Sequence, residues 1–152
     1  MISNQLDQFV QSCKNNFATI SAERKEVLHQ LSNFIRERKD DEILNLIFIC
    51  VHNSRRSHLS QMWGQIAAHS YGFRNVKCYS GGTEVTALYP AAARALSDQG
   101  VSVQTINEGD NPTYALKYDE NEPAVIGFSK IFDDPFNPQS GFAAVMVCSS
   151  AD

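Results

Sequence analysis

Cys50, Asn53, Arg56 and Ser57 fall inside one short stretch, Cys50-Val51-His52-Asn53-Ser54-Arg55-Arg56-Ser57, and those residue types in that order suit nucleophilic attack on a phosphate-like oxyanion. Cys50 is the nucleophile. Backbone N–H groups of the turn, from Val51 and His52 through Asn53, Ser54, Arg55 and Arg56, can converge on a tetrahedral anion, and the positive end of a helix starting there adds to the attraction. The same field acts on the thiol, whose ordinary pKa of about 8.5 falls at a helix N-terminus beside a cation, leaving Cys50 a thiolate at neutral pH. Ser57 can donate a hydrogen bond to that thiolate. Arg56 contributes a planar fork that grips two oxygens at once, a geometry lysine lacks. Asn53 is the loop residue most tolerant of a left-handed backbone, and its amide can hold the turn in shape. His52 and Arg55 are read as pointing outward, there to solvate the rim or, as the alternative, to contact the ligand's leaving group. The competing reading makes Cys50 a strand-end core thiol followed by a polar turn, because a cysteine five residues ahead of an arginine often arises by chance. Context decides between them, since the motif requires a buried strand before it and an amphipathic helix after it.

Both are present in the pattern. Ile43 to Cys50 is a nearly continuous apolar run, expected of a central parallel strand covered on both faces. From Ser57 the period changes, and Leu59, Met62, Trp63, Ile66 and Ala67 share one helical face as far as Tyr71-Gly72. A strand over Val76–Ser80 and a tight Gly81-Gly82 turn follow. Pro90 opens a helix through Ala93 and Leu96 that stops at Gly100. Tyr114–Tyr118 and Ala124–Phe128 are expected to form a hairpin, and Phe142–Cys148 another buried parallel strand. Upstream, Leu6, Phe9, Val10, Cys13 and Phe17 form one helical stripe. Val27, Leu28, Leu31, Phe34 and Ile35 form a second, N-capped by Ser21 and ended by Arg36-Glu37-Arg38-Lys39-Asp40-Asp41. Residues 1–42 thus read as a helical hairpin, without chemistry of its own, packed on an α/β domain over residues 43–152.

The bulk properties agree with one globular unit of 152 residues, 43% hydrophobic and 20% charged. No run is long enough to span a membrane and the N-terminus lacks an export signal, so a cytoplasmic location is expected. A net charge of −4 with scattered basic residues argues against a nucleic-acid partner. The four cysteines are widely separated, without the paired spacing of a zinc site, so reduced thiols and no metal are expected, with Cys13 and Cys78 as small buried hydrophobes.

The sequence resembles the low-molecular-weight protein tyrosine phosphatase superfamily, which includes the thioredoxin-coupled arsenate reductases. Cys50 to Ser57 is similar to its C-x5-R-S P-loop, Tyr79-Ser80-Gly81-Gly82-Thr83 to its Ser-Ala-Gly-Thr segment, and Val147-Cys148-Ser149-Ser150-Ala151-Asp152 to the reductase segment bearing a second redox cysteine. The resemblance implies a three-layer α/β/α fold with a small parallel sheet, of the phosphotyrosine protein phosphatase I type. It also implies phosphate-monoester hydrolysis through Cys50, with Arg56 and Ser57 as its catalytic partners. Its alternative is arsenate reduction by Cys50 and Cys148, with thioredoxin or another thiol as reductant and no further cofactor. Loss of turnover would leave a phosphate-binding module. The family's general-acid aspartate and its C-terminal helix have no counterpart, so the chain reads as a C-terminally shortened version. Asp134-Pro135 has the letters of the acid loop but precedes the last strand, so it is read as a turn, with acid function as the alternative.

Overall fold

The computed structural model describes residues 3–38 and 42–151. Lys39, Asp40 and Asp41 of the expected helix stop, and Asp152 of the terminal segment, lie outside the described residues. The apolar run after Ile43 forms β1 (Leu44–Cys50), buried along its length except at Asn45. It is the middle strand of a parallel sheet of order β2-β1-β6, with β2 (Val76–Gly82) on one side and β6 (Phe142–Met146) on the other. The register runs from Leu44 opposite Val76 to Cys50 opposite Gly82, and from Asn45 opposite Phe142 to Ile49 opposite Met146. A parallel sheet places the C-terminal ends of its strands together, so Cys50, Gly82 and the chain beyond Met146 share one edge.

The helix after the loop, α3 (Arg56–Ser70), closes the outer edge of β2 with side chains. Gln61 Nε2 donates to the Cys78 carbonyl at 3.1 Å, Gln65 Nε2 donates to the Val76 carbonyl at 3.0 Å, and Gln65 Oε1 accepts from the Cys78 N–H at 3.0 Å. Strand groups that would otherwise template aggregation are thereby satisfied. Helix α4 (Pro90–Asp98) has proline in its first turn and ends ahead of Gly100, whose φ of 97° only glycine adopts freely.

Two N-terminal helices, α1 (Asn4–Asn15) and α2 (Ala22–Arg36), are capped by Ser3 and Ser21, whose side chains accept from Leu6 N–H and Arg24 N–H. They sit on different clusters. Leu6 and Val10 of α1 are buried with Met62, Ile66, Leu96 and Leu116, whereas Leu31, Phe34 and Ile35 of α2 pack on Leu44, Leu46, Phe48, Val76 and Cys78. Val27 and Leu28 of the expected stripe are exposed, and Phe17 lies beyond α1 in a 3-10 turn. Cys13 is exposed, against the expectation of a buried thiol, because it sits where α1 leaves α3 uncovered. Cys78 is buried, and burial pushes its thiol pKa up to about 12, as expected of an inert core cysteine.

The expected hairpin forms as β4 (Tyr114–Lys117) and β5 (Val125–Gly127), but in a second, antiparallel sheet that also contains β3 (Ser102–Thr105), paired to β4. Gly81-Gly82 is not a turn. Both glycines belong to β2, where a Cβ at Gly81 would lie 2.4 Å from Phe132 Cα and one at Gly82 would lie 2.5 Å from the Val51 carbonyl oxygen. The glycines permit close approach, not chain reversal. The architecture is a mixed α/β fold with a small parallel three-stranded sheet and four helices among the described residues.

Candidate active site

The segment between β1 and α3 is held in shape from its interior outward. Asn53 is fully buried with φ +43°, the left-handed conformation that asparagine tolerates better than most residues. Its amide works in two directions, Nδ2 donating to Ser57 Oγ at 2.8 Å and Oδ1 accepting from the Lys130 N–H at 2.9 Å. Ser57 Oγ, held by Asn53, lies 3.0 Å from Cys50 Sγ, and once the sulfur is a thiolate, which can only accept, the hydroxyl donates to it.

The loop carbonyls are engaged by donors from outside the loop. Val51 O accepts from the N–H groups of Thr83 and Glu84, both at 2.9 Å, and Ser54 O accepts from Tyr89 N–H at 2.9 Å. His52 O accepts from Thr86 Oγ1 at 2.7 Å and from Ser129 Oγ at 3.1 Å. With carbonyls turned to these partners, N–H groups are left for the interior, and those of Ser57, Asn53 and Ser54 bond the sulfur. Burial alone raises the Cys50 thiol pKa; the Ser57 hydroxyl and these three N–H groups outweigh it and hold the thiol below its ordinary value.

Cys50 opens into a cleft of about 590 Å³ lined also by His52, Ser54, Arg55, Arg56 and Thr86. Cys50, Asn53 and Ser57 are buried, while Arg56, at the first position of α3, is exposed. Arg55 lies over the Tyr89 ring, 4.6 Å from its centroid, and exposed His52 Nδ1 is 3.2 Å from Glu84 Oε2. Both therefore belong to the rim, and both also line the cleft. A thiol of lowered pKa, inward N–H groups and a guanidinium bordering one cleft together provide a nucleophile and positive potential for an oxyanion.

No family model, curated protein or solved structure matches the chain. Among the described residues, no cluster of three or more His, Cys, Asp or Glu side chains is placed to hold a metal ion, and no helix is long and apolar enough to cross a membrane.

Cys148 is half-buried just beyond β6, and the preceding Val147 N–H donates to Ile49 O at 2.9 Å. It thus lies at the same sheet end as Cys50, outside the set of residues lining the cleft. Asp134 is likewise absent from that lining; its Oδ1 accepts from Phe136 N–H at 2.8 Å, stabilising a turn. The residues that brace the loop, Thr86, Tyr89, Ser129 and Lys130, escape the sequence reading because they arrive from distant segments. The Gly81-Gly82 doublet, read as a turn, gave no sign of the close approach of β2 either.

Proposed function

We propose that the chain is a cysteine-dependent phosphatase of the low-molecular-weight protein tyrosine phosphatase type, with the three-layer α/β/α arrangement of that superfamily. The observation that carries the reading is the chain of contacts Asn53 Nδ2 to Ser57 Oγ to Cys50 Sγ, which prepares a thiolate at the floor of the arginine-bordered cleft. Cys50 attacks phosphorus, the bond to the ester oxygen breaks, and that oxygen takes a proton from solvent. Water then displaces the sulfur from the cysteinyl-phosphate, releasing phosphate and restoring the thiolate. Arg56 and the loop N–H groups stabilise the oxygens as charge redistributes.

No carboxylate lines the described cleft, so leaving-group protonation is the weak step. Aryl phosphates, whose phenolates leave readily, should turn over roughly 10²–10⁴-fold faster than alkyl phosphates. The test is p-nitrophenyl phosphate hydrolysis beside an alkyl ester. Cys50→Ser should abolish turnover while phosphate still raises the melting temperature. Turnover that survives Cys50→Ser overturns the proposal, and phosphate stabilisation with no turnover in the unaltered chain makes it a phosphate-binding module.

The hydrogen bond from Val147 to Ile49 favours a second reading, because it brings Cys148 to the strand beside Cys50. Here Cys50 adds to arsenate with loss of water, and the Cys148 thiolate attacks the Cys50 sulfur. The arsenic–sulfur electron pair passes to arsenic, releasing arsenite and a Cys50–Cys148 disulfide for a thiol reductant such as thioredoxin to reopen. Cys148→Ser should then abolish arsenate-dependent disulfide formation and spare ester hydrolysis; an unchanged thiol titre in the unaltered chain rejects this reading.

A further inference from the structure

Away from the cysteine loop, α1 and the C-terminal half of α3 leave an open groove of about 310 Å³. Its floor is the contact between Val10 and Ile66, both buried, and one wall is the Phe9–Trp63 pair, with ring centroids 5.0 Å apart. Tyr71 stands at the rim, 54% exposed. The volume falls at the lower end of the roughly 300–1,000 Å³ range of small-molecule sites, and the lining is almost wholly carbon.

Among the described residues, one cation borders it. The Lys14 ammonium lies 4.4 Å from the Tyr71 ring centroid, an aromatic contact that leaves its N–H donors for another partner. Its chain carries a net charge of −4, so this cation gives the groove a local polarity opposite to that of the molecule. Carbon walls with a single ammonium at the edge complement a ligand that is apolar along its length and anionic at one end. We propose that the groove binds a free amphipathic carboxylate of medium chain length, its tail along Phe9 and Trp63 and its head on Lys14. The proposal is independent of the chemistry at Cys50.

Trp63 is the only tryptophan in the sequence, so intrinsic fluorescence reports on the groove directly. Decanoate, titrated below its micelle concentration, should change Trp63 emission saturably, and decanol should do so too. Lys14→Glu should weaken decanoate roughly three- to tenfold, the scale of a partly exposed charge contact, and leave decanol within about twofold. In the unaltered chain, decanoate should slow N-ethylmaleimide labelling at Cys13, which also lines the groove, as read by peptide mapping. The proposal is overturned by the absence of saturable change, by equal decanoate affinity in Lys14→Glu, or by labelling of Cys13 that decanoate does not slow. It is equally overturned if Trp63 responds only to protein concentration, which assigns the groove to a second copy, or only to anionic vesicles, which assigns it to a membrane surface.

Discussion

Ser57 decides where one proton points, and the reactivity of Cys50 follows from that. Asn53 donates into the hydroxyl from behind and holds it beside the sulfur, and the hydroxyl donates forward once that sulfur is a thiolate. Replacing Ser57 with alanine removes the largest influence lowering the Cys50 pKa and leaves the burial that raises it. The sign is therefore fixed: the thiol pKa rises, and the thiolate fraction at neutral pH falls. The acid limb of iodoacetamide alkylation at Cys50 should move to higher pH in Ser57→Ala, and kcat/KM for an aryl phosphate should fall more at pH 6 than at pH 9. An alkylation profile that keeps its place would remove Ser57 from the role assigned to it. Asn53 and Ser57 were legible in the sequence because their interactions with Cys50 are local, and Arg56 because it borders the same cleft six positions on. Ser129 and Lys130 were not, since they reach His52 and Asn53 across 77 positions of chain and carry no motif of their own.

At the scale of elements, the loop depends on how close β2 comes to it. A Cβ at Gly82 would lie 2.5 Å from the Val51 carbonyl oxygen and 2.8 Å from the Asn53 nitrogen, and both neighbours are backbone with little freedom to retreat. Gly82→Ala should cost about 1–3 kcal/mol of stability as an overpacked contact. It should also lower turnover at temperatures where the variant remains folded, because the backbone displaced is the one that orients N–H groups toward sulfur. Urea denaturation and p-nitrophenyl phosphate kinetics at 15 °C separate the two effects, and a stable variant with full activity would show that the approach of β2 is incidental. The same pair of glycines marks where pattern reading failed. A Gly-Gly doublet signals a turn when only local propensity is weighed, whereas pairing of Ile49 with Gly81 and of Cys50 with Gly82 carries the strand straight through it. Strand β6 ends at Met146 and, at the edge of its sheet, is half-buried to exposed and not the buried strand expected over Phe142–Cys148. Even so, strands β1 and β6 announced themselves as continuous apolar runs. Strand β3 did not, because Ser102–Thr105 offers only Val103 to the core and owes its conformation to pairing with β4.

Across the whole molecule, a buried polar seam ties the parallel sheet to the segment running from Phe128 to Asn137. His58 Nδ1 is 3.2 Å from Ser80 Oγ, and Asn137 Nδ2 donates to the Ser80 and Phe132 carbonyls, both at 3.0 Å. Lys130 is buried in the same region, its ammonium between the Phe128 and Phe136 rings at 4.5 and 5.4 Å, and burial lowers its pKa to about 8 despite the attraction of Asp134. His58 Nε2 is buried without a hydrogen bond among the described residues, and the Asn53 backbone and Gln61 side chain near the ring offset only part of the cost of a charge there. Burial, reinforced by the charge of Lys130, lowers the His58 pKa to about 3, whereas the unfolded chain binds this proton near pH 6.5. Between those values the unfolded state holds more protons than the folded one, so stability falls as pH drops from about 6.5 toward about 3. His58→Gln removes the titrating group while keeping a side chain that can reach Ser80. The variant should be less stable at pH 7, yet its urea midpoint should fall less between pH 7 and pH 4.5 than that of the unaltered chain. Equal losses in the two proteins over that interval would mean that acid acts elsewhere, and that the seam holds His58 without sensing pH through it.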